Sequence, residues 1–110
     1  MDVCSWCGVA VDRDEGFRAA EPVGERKATF CRLEHIVPWI LQGPHWEPGR
    51  IAAADADAAL GVCAHCGDEV GDTRILLIRH RGEHRIGDCF CSVDHLLAWT
   101  KRGGRWRTGV

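Results

Sequence analysis

Two cysteine-histidine patterns, one copied from the other, constrain this chain more than anything else in it. Cys4-Ser-Trp-Cys7-Gly8 reappears as Cys63-Ala-His-Cys66-Gly67, at an offset of 59 residues. Phe30-Cys31-Arg-Leu-Glu-His35 reappears as Phe90-Cys91-Ser-Val-Asp-His95, at an offset of 60. The second offset persists through Trp39/Trp99, Gly43/Gly103, Trp46/Trp106 and Gly49/Gly109. Cys and Trp are scarce residues, and their shared register marks a tandem repeat. The change of offset predicts a one-residue insertion between the ligand pairs, where a hairpin turn tolerates it. The repeat divides the chain into unit one (1–50), an Ala-rich linker (51–60) and unit two (61–110). Ten residues are marginal for a helix in water, so the linker reads equally as a helical or a flexible spacer.

Units of this size need a staple. The 110 residues include 31 large apolar side chains (Val, Ile, Leu, Met, Phe, Trp), so each unit has roughly fifteen. Domains of ~50 residues bury too little surface to be stable with ease and usually rely on metal, disulfides or a partner. Seven cysteines cannot all pair within one chain. No secretory signal opens the sequence, so the expected compartment is cytoplasmic, where disulfides are rare. Nor does any stretch reach the ~18 apolar residues of a membrane span. Metal is therefore the expected staple.

The spacing fits zinc. A Cys-x2-Cys turn lets two thiolates converge on one ion, and the following Gly8 and Gly67 suit the positive φ of such a turn. Cys31/His35 and Cys91/His95 are spaced i, i+4, one turn apart on a helix face. Cys31 and Cys91 fall at the helix start, where the backbone dipole favours a thiolate. Ser92 is a candidate cap there. Cys4, Cys7, Cys31 and His35 form one set, and Cys63, Cys66, Cys91 and His95 the other. Three Cys and one His close a tetrahedral shell, the structural rather than catalytic pattern, so two Zn2+ per chain are expected.

Between the ligand pairs, strands are expected at 17–20 and 27–30 around Pro22-Val-Gly24-Glu, and at 73–79 and 84–90 around Arg81-Gly82-Glu83. Helices should run from about 32 to 41 and from 92 to 101, each stopping before a Gly. Pro38 removes a backbone donor, so the first helix should kink or shorten. Knuckle, hairpin and ligand-bearing helix follow in the order of a treble clef. The fold class expected is small, metal-stabilised α+β: two tandem treble-clef-like zinc fingers.

Phe90-Cys91-Ser92 following Cys63-x2-Cys66-Gly67 resembles the FCS, MYM and TRASH group of small treble-clef zinc fingers. In that group the helix pair is commonly Cys-x2-Cys, whereas this chain has Cys-x3-His. The resemblance implies a module that binds proteins, nucleic acid or metal for delivery. Glu34-His35-Ile36-Val37-Pro38 also resembles the Asp-His-Ile-x-Pro phrase of HNH nucleases. An HNH site needs a later Asn, and the chain has none; the repeat already explains His35 as a ligand.

Trp39, Trp46, Trp99 and Trp106 are expected in the core, with a stacking or partner surface as the alternative. Trp6 has His65 in its place in unit two and is the Trp expected to be exposed. Cys89 is the odd cysteine: a buried free thiol, or an exchange or redox group near the second site. His45, His65, His80 and His84 lack repeated partners; they are expected at the surface or on strands, and His65 is placed to influence metal exchange. Lys101, Arg102, Arg105 and Arg107 surround Trp106, as a phosphate-contacting tail or a solvated terminus. Two zinc ions add four charges and six thiolates remove six, taking the formal charge from −2 to −4, which disfavours broad nucleic-acid binding.

The expectation is a non-enzymatic zinc adaptor for a protein or nucleic-acid partner, without membrane contact. The alternatives are metal handling or sensing through Cys89 and, last, an HNH-like nuclease.

Overall fold

A computed structural model describes residues 2–59 and 61–106. Leu60, Arg107 and Gly109, invoked above for the linker, the tail and the repeat register, lie outside the described residues.

The chain opens with β1 (Asp2–Val3) and β2 (Ala10–Val11), paired antiparallel around the first Cys-x2-Cys turn. A hairpin follows, β3 (Phe17–Glu21) and β4 (Arg26–Phe30). Next come a 3-10 turn (Leu33–His35), helix α1 (Ile36–Leu41) and the short strand β5 (Glu47–Pro48). The linker contains helix α2 (Ala53–Asp57). The second half provides β6 (Ile75–Arg81), β7 (His84–Phe90) and α3 (Val93–Lys101). At the second knuckle, an antiparallel Val62–Glu69 bridge stands where Val3–Ala10 pairs in the first.

The two hairpins join. β3 pairs antiparallel with β6, giving one five-stranded sheet in the order β5-β4-β3-β6-β7. Phe17 faces Phe30 in one hairpin and Ile75 faces Phe90 in the other. β4 therefore maps onto β7 at an offset of 60 (30 to 90), and β3 onto β6 at 58 (17 to 75). At 58, Ala19 maps onto Leu77, and those two are themselves a ladder pair. An approximate two-fold axis thus passes through Ala19–Leu77. The predicted single insertion is the sum of two changes: one residue lost before the first strand and two gained in the hairpin.

Side chains alternate across a sheet, and here both faces are covered. On one face, Ala19, Ala28, Phe30, Leu77 and Phe90 pack against Ile36 and Trp39 of α1 and Leu96 and Trp99 of α3. On the other, Ala20, Leu76, Ile78 and Cys89 pack beneath Ile51, Ala56 and Ala59. Gly87 makes that close approach possible: a Cβ there would lie 2.9 Å from the Ala58 carbonyl oxygen.

Each half builds the same aromatic stack. Phe30 meets Trp39 edge-on at 5.1 Å, and Trp39 meets Trp46 at 5.0 Å. Phe90 meets Trp99 at 5.1 Å, and Trp99 meets Trp106 at 5.1 Å. Phe17 of the first half stacks on Trp106 of the second at 6.4 Å, so the two stacks meet. Trp39 and Trp99 are buried and Trp46 and Trp106 partly so, while Trp6 is 40% exposed, as the missing repeat partner suggested.

The first helix is shorter than the ten residues expected. A 3-10 turn covers Leu33–His35 and α1 starts afresh at Ile36. Pro38 then sits in the first turn, where its missing N–H is one that has no intrahelical partner anyway. β6 is shifted two residues later than its expected span.

Candidate metal centres

Each knuckle is a tight turn closed by hydrogen bonds that follow from the sequence. Gly8 N–H donates to the Cys4 carbonyl at 3.0 Å, and Gly67 N–H to that of Cys63 at 2.9 Å. Both glycines adopt positive φ, 80° and 82°, which a side chain would strain. Each knuckle is then tied to the last strand of its hairpin. Ser5 N–H donates to the Thr29 carbonyl at 2.6 Å, and Ala64 N–H to that of Cys89 at 2.9 Å. The strand leads directly into the Cys-x3-His pair, so these bonds bring the two ligand pairs together.

The result is two four-residue clusters: Cys4, Cys7, Cys31 and His35, and Cys63, Cys66, Cys91 and His95. Within each, the ligand atoms lie within 4.8 Å of one another. Cys7 Sγ is 3.6 Å from Cys31 Sγ, and Cys66 Sγ 3.6 Å from Cys91 Sγ. His35 Nδ1 lies 3.7 Å from Cys4 Sγ and 3.3 Å from Cys31 Sγ; His95 Nδ1 lies 3.5 Å from Cys63 Sγ. A disulfide requires about 2.05 Å. A zinc tetrahedron, with Zn–S about 2.3 Å and Zn–N about 2.05 Å, has edges of ~3.8 Å between sulfurs and ~3.6 Å between sulfur and nitrogen. Both clusters match that figure and could each hold one ion.

The thiols are already divided electrostatically. Burial pushes Cys4 up, but backbone N–H groups of Cys7, Cys31 and Trp6 together with the His35 ring outweigh it and hold it at about 6, against the ordinary 9.0. Cys63 is likewise held at about 6: burial opposes, and the N–H groups of Cys66, Cys91 and His65 and the His95 ring prevail. Burial and then the neighbouring sulfurs of Cys7 and Cys4 push Cys31 up to about 11. Cys66 first, then burial and Cys63, push Cys91 up to about 12. One thiolate forms readily and opposes the next, and a divalent cation removes that opposition.

Ser92 caps α3: its hydroxyl accepts from His95 N–H at 3.3 Å, which fixes the backbone of a ligand residue. Arg32, in the same place in the first half, makes no side-chain cap.

The remaining sequence candidates lie around these clusters. Cys89 is buried in the opposite core, and its thiol donates to the carbonyls of Gly61 and Val62 at 3.3 and 3.2 Å. It is not one of the four clustered ligands. Burial, ahead of Asp88 and Cys63, pushes it above its ordinary range. The His65 ring meets His95 edge-on at 4.9 Å, with its buried Nδ1 unbonded. Of the basic tail, Lys101, Arg102 and Arg105 are exposed. The Arg105 carbonyl accepts from Trp99 Nε1–H at 2.9 Å. His80 is on strand β6, one of the two expected places, and is buried: Nδ1 lies 2.6 Å from the Arg13 carbonyl, and Nε2 lies 2.8 Å from an Asp55 oxygen in a close but poorly aligned contact.

Sequence reasoning missed the polar group around His80 and Arg18. The signal available was strand alternation, which places Arg18, Lys27, Thr29 and His80 on one sheet face once the register is known. No helix among the described residues is long and apolar enough to cross a membrane. No family model, curated protein or solved structure matches the chain.

Proposed function

We propose that the protein is a structural zinc module whose two treble-clef-like fingers, of the FCS/MYM/TRASH kind, hold it in shape for binding a partner. The observation that carries this is the ligand geometry, met twice in one chain. In each cluster three sulfurs and one nitrogen lie within 4.8 Å of one another, with the shortest separations near the edges of a zinc tetrahedron; four protein ligands of this kind would fill a closed, structural shell. Closed shells of this type supply folding energy rather than catalysis, so the module is assigned no enzymatic activity.

The zinc ions would be held by Cys4, Cys7, Cys31 and His35, and by Cys63, Cys66, Cys91 and His95. Each would fasten a knuckle to a hairpin and to the Trp-bearing helix behind it. The proposed role is an adaptor for a protein or nucleic-acid partner; the exposed Trp6, Lys101, Arg102 and Arg105 are the surfaces offered, and the sequence adds Arg107, which lies outside the described residues. Aromatic and Arg side chains are the types that dominate binding surfaces.

Zinc release to a chromophoric chelator tests the structural role. Slow release, unchanged in Cys89→Ser, is expected. Rapid release that depends on Cys89 would contradict it and point to metal transfer. For nucleic acid, Arg105→Glu with Arg107→Glu should weaken binding; binding unaffected by both changes removes the tail from the account.

A further inference from the structure

The polar group that sequence reasoning missed lines a cleft of about 170 Å³ on the sheet face opposite α1 and α3. Its floor is Arg18, Thr29 and His80, each under 10% exposed. Its rim is Arg13, Lys27 and Arg50, and the linker residues Ile51 and Ala52 form one wall.

The charges in this cleft do not balance. Arg18 is answered by Asp2, its Nε 3.1 Å from a carboxylate oxygen. The rest of the Arg18 guanidinium donates to the carbonyls of Asp12, Glu15 and Phe17, which fixes the group rigidly. Asp55 pairs with Arg85 at 3.2 Å and lies 2.8 Å from His80 Nε2, which makes no hydrogen bond. Arg50 pairs with Glu25, away from the cleft. Lys27 and Arg13 have no carboxylate partner among the described residues. Thr29 is 3% exposed, and its hydroxyl makes no hydrogen bond among the described residues.

A cleft-facing threonine hydroxyl and two cations without a carboxylate stand around a fixed guanidinium: donors without an acceptor. Among the described residues of the cleft, the buried side-chain atom without a hydrogen bond is His80 Nε2, and burying a polar group unpaired is costly. An oxyanion supplies what is missing: several acceptor oxygens and negative charge in one small body, held by charge-assisted hydrogen bonds. We infer that this cleft binds a small phosphate-bearing anion, with Lys27 and Arg13 as the charged clamp and Thr29 as a hydroxyl donor. None of the cleft residues belongs to either metal cluster, although Thr29 adjoins the first knuckle through Ser5, and the site stands whatever partner the zinc module has.

Titration of the zinc-loaded protein with inorganic phosphate, followed by amide chemical shifts, tests it, with chloride at matched ionic strength as control. Saturable shifts are expected at Arg18, Lys27, Thr29 and Ile51. Lys27→Gln combined with Arg13→Gln should weaken phosphate binding about tenfold or more. Both side chains lie on the rim, so zinc content and the near-UV signal of the Trp residues should stay unchanged. Equal shifts with chloride, no saturation, or an undiminished response in the double variant would overturn the assignment.

Discussion

The two halves of the molecule reach the same metal geometry by different local means. In the second half, Ser92 caps a nine-residue helix and the hairpin strands are seven residues long. In the first, Arg32 caps nothing, a 3-10 turn precedes a six-residue helix, and the strands are five residues long. Trp99 Nε1–H has an acceptor in the Arg105 carbonyl, whereas the buried Trp39 Nε1–H has none. The ligand separations nonetheless agree within a few tenths of an ångström. What is retained is what an ion requires: the knuckle, its bond to the hairpin and the i, i+4 pair. What varies is held by the sheet the halves share.

The largest effect should come from the ligands. Cys91→Ser is expected to remove one zinc and, because β3 pairs with β6, to perturb the Trp signals of both halves. Structural zinc contributes apparent free energies of about 10–16 kcal/mol, comparable to the ~5–15 kcal/mol stability of a whole domain. Zinc content together with near-UV circular dichroism decides it. A variant that loses one zinc but keeps the first half's Trp signals would show that the halves fold independently. Next, Leu77→Ala at the two-fold axis should cost about 2–5 kcal/mol in denaturant unfolding and lower the stability of both halves together.

The tryptophans sharpen the comparison. Trp99→Phe discards a hydrogen bond and Trp39→Phe discards an orphaned donor. Trp99→Phe should therefore be the worse of the two by about 1 kcal/mol in the same assay. Equal losses would mean that the Trp39 N–H is satisfied in solution. The helix caps come last. Ser92→Ala should cost about 1 kcal/mol, and Arg32→Ser should recover part of that amount in the first half. The backbone there is ready: Arg32 is extended at φ −151°, ψ 156°, close to Ser92 at −159°, 170°.

Acidity gives a further check. Cys31 and Cys91, raised to about 11 and 12, are protonated at neutral pH without metal. Zinc requires their thiolates, so binding at pH 7 must release at least a proton per site, and affinity must fall as pH falls. Calorimetry in buffers of different ionisation enthalpy should detect that release. A binding enthalpy independent of buffer would contradict it.

Much of this was legible in the sequence because it is local. The eight clustered ligands, both hairpins, the Ser92 cap and the exposed Trp6 follow from spacing and from residues near in the chain. Pro38 was legible as a disturbance, but not as a helix restarted so that Pro38 falls in its first turn. The joined sheet was hidden because β3 and β6 are some sixty residues apart, and no local pattern states which strands pair. The small Ala19 and Ala20 read as weak strand residues until Leu77 and Leu76 are seen opposite them. The cleft was hidden for the same reason: Arg18, Thr29 and His80 share a face only once that register exists.

The central claim is that two ions hold this chain together. Native mass spectrometry of the purified protein, with near-UV circular dichroism before and after chelation, tests it most directly. Two zinc per chain and collapse of the Trp signals on chelation are predicted. Substantially fewer than two, or Trp packing that survives removal of the metal, would contradict it.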